Sequence, residues 1–154
     1  MVRNDSPEYL AGLAHELGQL PKETEWVEFK CDNANPEDIG EYISALANSA
    51  ALWGKTNAYL MWGVSDGTHE LVGTSFRPTL AKKGNEELEN WLIRLLSPRI
   101  HLRLVEFETD GKSISMIEIP CAAHQPVQFQ GVEYVRIGSY KKKLKDFPEK
   151  EREL

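Results

Sequence analysis

Cysteine is nearly absent from this chain. Cys31 and Cys121 are its only two, too few for a disulfide scaffold or a four-thiolate zinc site, and a reduced, cytoplasmic setting is the expectation. Long apolar runs are missing as well: nothing approaches the roughly 18 residues of a membrane span. The first twenty residues lack the basic start and apolar middle of a signal peptide, so a soluble protein with no membrane partner is expected. No Gly-x-Ser-x-Gly, Walker phosphate loop or Gly-x-Gly-x-x-Gly occurs, which removes the usual arguments for an esterase, a P-loop enzyme or a dinucleotide binder. Internal repeats and low-complexity stretches are absent too. What remains is 154 residues with 41% hydrophobic and 27% charged side chains, enough for one core that buries about 68 to 70% of the unfolded chain's surface.

Positive charge is also scarce. Lysine and arginine number 18 against 24 acids, a formal charge of −6, which taken alone argues against a nucleic-acid partner. The distribution qualifies the sum. The first fifty residues hold ten acids and three bases, whereas the remainder holds fourteen acids and fifteen bases. Tyr134 to Lys145 carries five positive charges and no negative one, so a locally basic surface on an acidic protein is compatible with the total.

Local signals define the elements. Ser6-Pro7-Glu8 supplies a cap, a first-turn proline and an early acid ahead of Tyr9, Leu10, Leu13 and Leu17, predicting a helix closed by Gly18 and Pro21. Residues 25–30 alternate, with Val27 and Phe29 on one face and Trp26, Glu28 and Lys30 on the other, the pattern of a half-buried strand. Asn35-Pro36-Glu37-Asp38 opens a second helix carrying Ile39, Ile43, Leu46 and Ala50. Ala58 to Val64 is apolar on both faces and suits a central strand, with Leu71-Val72-Gly73 pairing back across a turn at Ser65 to Thr68. Asn85 is read as the cap of a third helix bearing Leu88, Trp91, Leu92 and Leu95. Strands at 100–108 and 113–119 flank Asp110-Gly111, and strands at 126–129 and 132–137 flank Gln130-Gly131. The fold class implied is α+β, with helices packed on a twisted, largely antiparallel sheet. Three regions are expected: an N-terminal helical segment, 1–22; a central domain, 23–140; and a charged C-terminal arm, 141–154, whose helical character at its end suggests a longer parent chain.

Three acids stand near strand ends or turns: Glu23, Glu28 and Asp66. A divalent cation such as Mg²⁺ or Mn²⁺ is held by a few carboxylates together with water and phosphate oxygens, so converging acids could form a phosphodiester-cleaving site. Glu28 and Lys30 share a strand face, which sets an ammonium beside a carboxylate. The same pair also reads as an exposed ion pair contributing only about 0–1 kcal/mol, and spacing alone favours that reading. Glu23 lies an odd number of residues from Glu28, so only a turn at residues 23–25 brings the two together. Phosphate contact falls to Arg136, Lys141, Lys142, Lys143 and Lys145 with Lys30, and Tyr140 is available for stacking on bases, although composition allows a solvated tail equally. Cys121-Ala-Ala-His124 has ligand spacing but no second pair, so no zinc is expected. Trp26, Trp53, Trp62 and Trp91 are read as core or interface packing.

Five segments occur in one order: Glu23-Thr-Glu-Trp-Val-Glu28-Phe-Lys30, Ile43-Ser-Ala-Leu-Ala-Asn48-Ser, Tyr59-Leu-Met-Trp-Gly63-Val-Ser-Asp66, Leu71-Val-Gly73, and Pro126-Val with Tyr134-Val-Arg136-Ile-Gly138-Ser. Together they resemble the Schlafen Alba-type domain, described as a DNA-binding domain of bacterial transcription regulators and found in the core of animal Schlafen proteins. The resemblance implies a nucleic-acid-binding domain at the start of a longer regulator. As an alternative it implies a metal-dependent endoribonuclease acting on tRNA-like RNA, with Glu23, Glu28 and Asp66 as its metal-holding acids. The chain departs from many relatives at Ala50-Ala-Leu-Trp-Gly54-Lys-Thr-Asn57, where they carry a Gly-Gly pair. A third reading is an interaction module of a larger ATP-binding regulator, its acidic first third and tryptophans forming a partner surface. The acidity also raises the expectation that a downstream domain or a second copy, as in a homodimer, completes any positive groove.

Overall fold

The structure, a computed structural model, describes residues 6–21 and 24–154. Helix α1, Pro7–Gly18, begins as its cap signal predicts, the Ser6 hydroxyl accepting from the Tyr9 amide at 3.2 Å. Strand β1, Val27–Lys30, leads through Asn35, which caps helix α2, Pro36–Leu52, by accepting from the Asp38 amide at 2.9 Å. Helix α2 crosses over to strand β2, Asn57–Trp62, which runs parallel to β1. A small hairpin of β3, Lys82–Lys83, and β4, Glu86–Glu87, precedes helix α3, Leu88–Leu95, and strand β5, Leu96–Ser97. Strands β6, Arg103–Thr109, and β7, Lys112–Pro120, form the long hairpin; β8, Gln128–Phe129, and β9, Val132–Ile137, form a shorter one. Strand β10, Tyr140–Lys143, a 3-10 turn at Leu144–Asp146 and helix α4, Pro148–Glu153, complete the chain.

Two sheets carry the fold. The larger has the order β1-β2-β7-β6, antiparallel apart from β1–β2; the smaller has the order β10-β9-β8-β5 and is antiparallel throughout. The α+β class therefore stands. Side-chain alternation divides the apolar residues of the larger sheet between two clusters. Ala58, Leu60, Trp62, Ile117 and Ile119 pack with Ile39, Ile43 and Leu46 of α2 and Leu88 and Leu92 of α3. On the opposite face Val27, Phe29, Met61, Ile114 and Met116 meet Leu10, Ala14 and Leu17 of α1.

Three local expectations change. Asn85 does not cap α3, because Gly84-Asn85 forms the two-residue turn between β3 and β4; the helix starts at Leu88, after Glu87. The strand expected over residues 126–129 pairs only at Gln128–Phe129, since the backbone of Val127 is taken by the Asn48 side chain, which both donates to its carbonyl and accepts from its amide. The basic run from Lys141 does not leave the fold as an arm at once: residues 141–143 pair with Arg136, Val135 and Tyr134 in β10. Among the described residues no helix is long and apolar enough to cross a membrane.

Candidate functional site

The alternation of β1 is as expected, but its polar face is covered. Val27 and Phe29 face α1, while Glu28 and Lys30 face the space between α2, β9 and β10, where Glu28 is 8% exposed. Arg136, 1% exposed, reaches this space from β9. Its Nη1 lies 3.1 Å from Glu28 Oε1 and donates to the Val27 carbonyl at 3.0 Å, and its Nε donates to the Gly138 carbonyl at 3.2 Å. The guanidinium thereby ties β1 to the β9–β10 turn.

A second set of charges continues from the first. Lys30 Nζ is 3.7 Å from Glu28 and 3.4 Å from Asp38 of α2. Lys141 of β10 donates to the same Asp38 and, at 2.8 Å, to Glu41 one helical turn on. Tyr42 stands at the centre: its hydroxyl bonds Glu28, and the ammoniums of Lys30 and Lys141 lie 4.4 and 4.5 Å from its ring centroid. Glu28, Asp38 and Glu41 are thus matched by Lys30, Arg136 and Lys141 inside the protein. Burial, with the negative charge of Asp66 adding to it, holds the Glu28 carboxyl above the usual range although Arg136 and Lys30 pull it down. Burial and the neighbouring Glu28 push the Tyr42 phenol upward. Burial alone would lower the Lys141 ammonium, but its bonds to Asp38 and Glu41 outweigh that and raise it.

The basic residues selected from the sequence therefore fall into two groups. Lys30, Arg136 and Lys141 are engaged internally, so their charge is spent on carboxylates. Tyr140, Lys142, Lys143 and Lys145 are exposed, and none of the three lysines forms an ion pair among the described residues. Asp66 is exposed in the turn after β2, and Glu23 lies outside the described residues. Composition and spacing did not single out Glu25, Asp38, Glu41 or Tyr42. The available signal was a helical one: Asp38, Glu41 and Tyr42 stand at i, i+3 and i+4, one face of the first turns of α2.

The carboxylates of this region are already committed to cations of the protein itself. Both oxygens of Glu28 already face cations, at 3.1 and 3.7 Å, and among the described residues no group of three or more His, Cys, Asp or Glu side chains is placed to hold a metal. These residues do not by themselves fit Mg²⁺ or Mn²⁺.

No curated protein matches the chain. Two of the solved structures that share its fold illustrate the likeness. The DIP2311 protein from Corynebacterium diphtheriae aligns with a TM-score of 0.53 and 16% identity over 88% of this chain and 26% of that one. The N-terminal domain of a protein from Nitrosomonas europaea, named for its relation to the ATP-dependent DNA helicase RecG, aligns with a TM-score of 0.51 and 20% identity over 86% of this chain and 90% of that one. The chain thus spans about a quarter of the Corynebacterium protein. With the family pattern described as Schlafen, AlbA_2 matching residues 23–145, the chain belongs to that family.

Proposed function

We propose that this domain binds nucleic acid through its phosphates, using the exposed lysines of β10 and the turn that follows it. The observation that carries this reading is the sorting of the basic segment. Arg136 and Lys141 are consumed internally, while Lys142, Lys143 and Lys145 stand in solvent without a carboxylate partner among the described residues. On a chain of net charge −6, three exposed lysines within four residues, none ion-paired among the described residues, supply local charge of the sign a phosphate requires. Membership of the Schlafen, AlbA_2 family supports the same reading.

Salt titration tests it. Each neutralised phosphate contributes about 0.9 to the slope of log K against log salt on duplex DNA, so these lysines account for a slope of about 3. Replacing Lys142, Lys143 and Lys145 together by Gln should remove most of that slope and weaken binding across sequences. Binding that ignores salt, or a triple variant that binds as the parent does, refutes the proposal.

A second reading, metal-dependent RNA cleavage by Glu23, Glu28 and Asp66, has one observation in its favour: β1, which carries Glu28, pairs with β2, whose following turn carries Asp66. It requires Glu28 to be released from Arg136 and Lys30. Cleavage of labelled tRNA that needs Mn²⁺ or Mg²⁺ and disappears in Glu28→Gln would support it, provided the variant remains folded. Cleavage equal in both proteins would remove it.

A further inference from the structure

Trp53 does not join the packing expected of the four tryptophans. Trp62 and Trp91 are buried and Trp26 is half-buried, but Trp53 is 56% exposed. Its position is set by the end of α2. The Gly54 amide donates to the Ala51 carbonyl and the Lys55 amide to the Ala50 carbonyl, with Gly54 at φ +69°, a closing motif that fixes Trp53 and Lys55 on either side of the glycine. The indole Nε1 donates to Glu25 Oε1 at 2.9 Å, and the ring lies 5.7 Å from Trp26 at 52°. Lys55 Nζ stands 4.8 Å from the Trp26 ring. The other Glu25 oxygen accepts from the Gly138 amide at 2.7 Å, so both oxygens are engaged. That bond also holds the Gly138-Ser139 turn of the β9–β10 hairpin, beyond which Tyr140 is 68% exposed with Lys142 Nζ 5.7 Å from its ring.

The indole's one polar atom is satisfied within the fold, yet more than half of the residue's surface remains in water. Two exposed aromatic rings, with a lysine at each cluster and the nearest carboxylate occupied, match the chemistry of a nucleotide: a base face to stack and a phosphate to neutralise. A paired duplex buries its base faces and offers nothing to such rings. We infer that Trp53 with Trp26 and Lys55, together with Tyr140 and Lys142, form a stacking site for unpaired nucleotides. This rests on the nucleic-acid reading above and adds a preference within it: single strands over duplex.

The experiment compares the full 154-residue chain with Trp53→Ala, Trp53→Phe and the Lys142, Lys143, Lys145→Gln triple variant. Each is titrated with fluorescein-labelled twelve-nucleotide oligo-dT, oligo-U and a blunt duplex of the same length, at two salt concentrations. Wild type should bind the single strands more tightly than the duplex. Trp53→Ala, while remaining folded, should lose about tenfold to a hundredfold for single strands, keep its duplex affinity and its salt slope, and recover most of the loss as Trp53→Phe. The oligo-dT and oligo-U arms separate DNA from RNA as the source of the unpaired base. Unchanged single-strand affinity in Trp53→Ala overturns the stacking site while leaving the lysine-based proposal standing, and so does an equal loss for duplex and single strand. A shift of Trp53→Ala on a sizing column with unchanged affinities assigns the patch to a second copy of the chain and overturns the proposal. No binding of any probe by wild type removes both.

Discussion

At the scale of single residues, Arg136 shows how burial redirects a charge. A buried guanidinium is tolerated where its donors are matched, and here they serve Glu28, the Val27 carbonyl and the Gly138 carbonyl. Replacing Arg136 by Met leaves Glu28 buried with only Lys30, 3.7 Å away, as an ionic partner. The expected cost is about 3–5 kcal/mol, read from the midpoint of a urea melt at neutral pH. Arg136→Lys should not restore it, since one ammonium cannot reach three acceptors in the geometry of a planar fork. The pH dependence follows from the direction of the Glu28 shift. A carboxyl whose folded pKa is raised binds more protons folded than unfolded, so stability falls as pH climbs from the ordinary glutamate value, about 4.3, through the raised folded value. Removing Arg136 takes away a charge that lowers that pKa, so in Arg136→Met the declining window should extend to higher pH and the deficit against wild type should shrink in acid. A deficit independent of pH would show that Glu28 is not the group left unmatched.

At the scale of elements, α2 does the work of a missing strand for β9. Ser44 accepts from the Tyr134 amide at 3.0 Å and donates to the Val127 carbonyl at 2.7 Å. Asn48 donates to the Val127 and Tyr134 carbonyls and accepts from the Val127 amide, and Ser49 accepts from the Arg136 amide. Asn48→Ala therefore strands buried backbone groups and should cost about 2–4 kcal/mol, with amide exchange at Val127 accelerating as the local check. On the same helix, a Cβ at Gly40 would come within 2.2 Å of the Phe129 ring. Gly40→Ala gains at most about 1 kcal/mol of helix propensity but overpacks a site where 1–3 kcal/mol is usual, so the melt should fall rather than rise. These contacts explain what the sequence showed and what it hid. The starts of α1 and α2 and the turns Asp110-Gly111 and Gln130-Gly131 were legible because their signals act over a few residues. The apolar stripe of α2 was legible through Ile39, Ile43 and Leu46. The purpose of Ser44, Asn48 and Ser49 was not, because their partners lie 79 to 90 residues away. For the candidate site, residue type and spacing selected Glu28, Lys30 and Arg136, but whether their charges face water or each other depends on α2 covering the second face of β1, which no local pattern encodes.

At the scale of the whole molecule, the acidic first third is partly internal accounting: Glu28, Asp38 and Glu41 answer Lys30, Arg136 and Lys141, which leaves Lys142, Lys143 and Lys145 to face solvent. The same region raises the question of α1, which lies before the family match at residue 23 yet covers one face of the larger sheet. Leu10 and Leu17 are about 5% exposed and Ala14 is similarly buried, against Val27, Phe29, Met61, Ile114 and Met116. Full burial of a leucine is worth about 1.5–3 kcal/mol, so the helix contributes about 4–6 kcal/mol as an upper estimate, against a total of about 5–15 kcal/mol for an ordinary domain. Its removal also exposes a contiguous apolar sheet face. A chain beginning at Pro21 should therefore lose most of its denaturant resistance and bind a hydrophobic dye, and the full-length Leu10→Ala and Leu17→Ala variants should each lose about 2–5 kcal/mol. Strand β10 packs on α2 through Lys141, Asp38 and Glu41, on the face of β1 opposite α1, so both leucine variants, measured while folded, should keep the lysine-dependent nucleic-acid affinity of the parent. Loss of affinity in a variant that remains folded would place α1 in the binding surface rather than beneath the sheet.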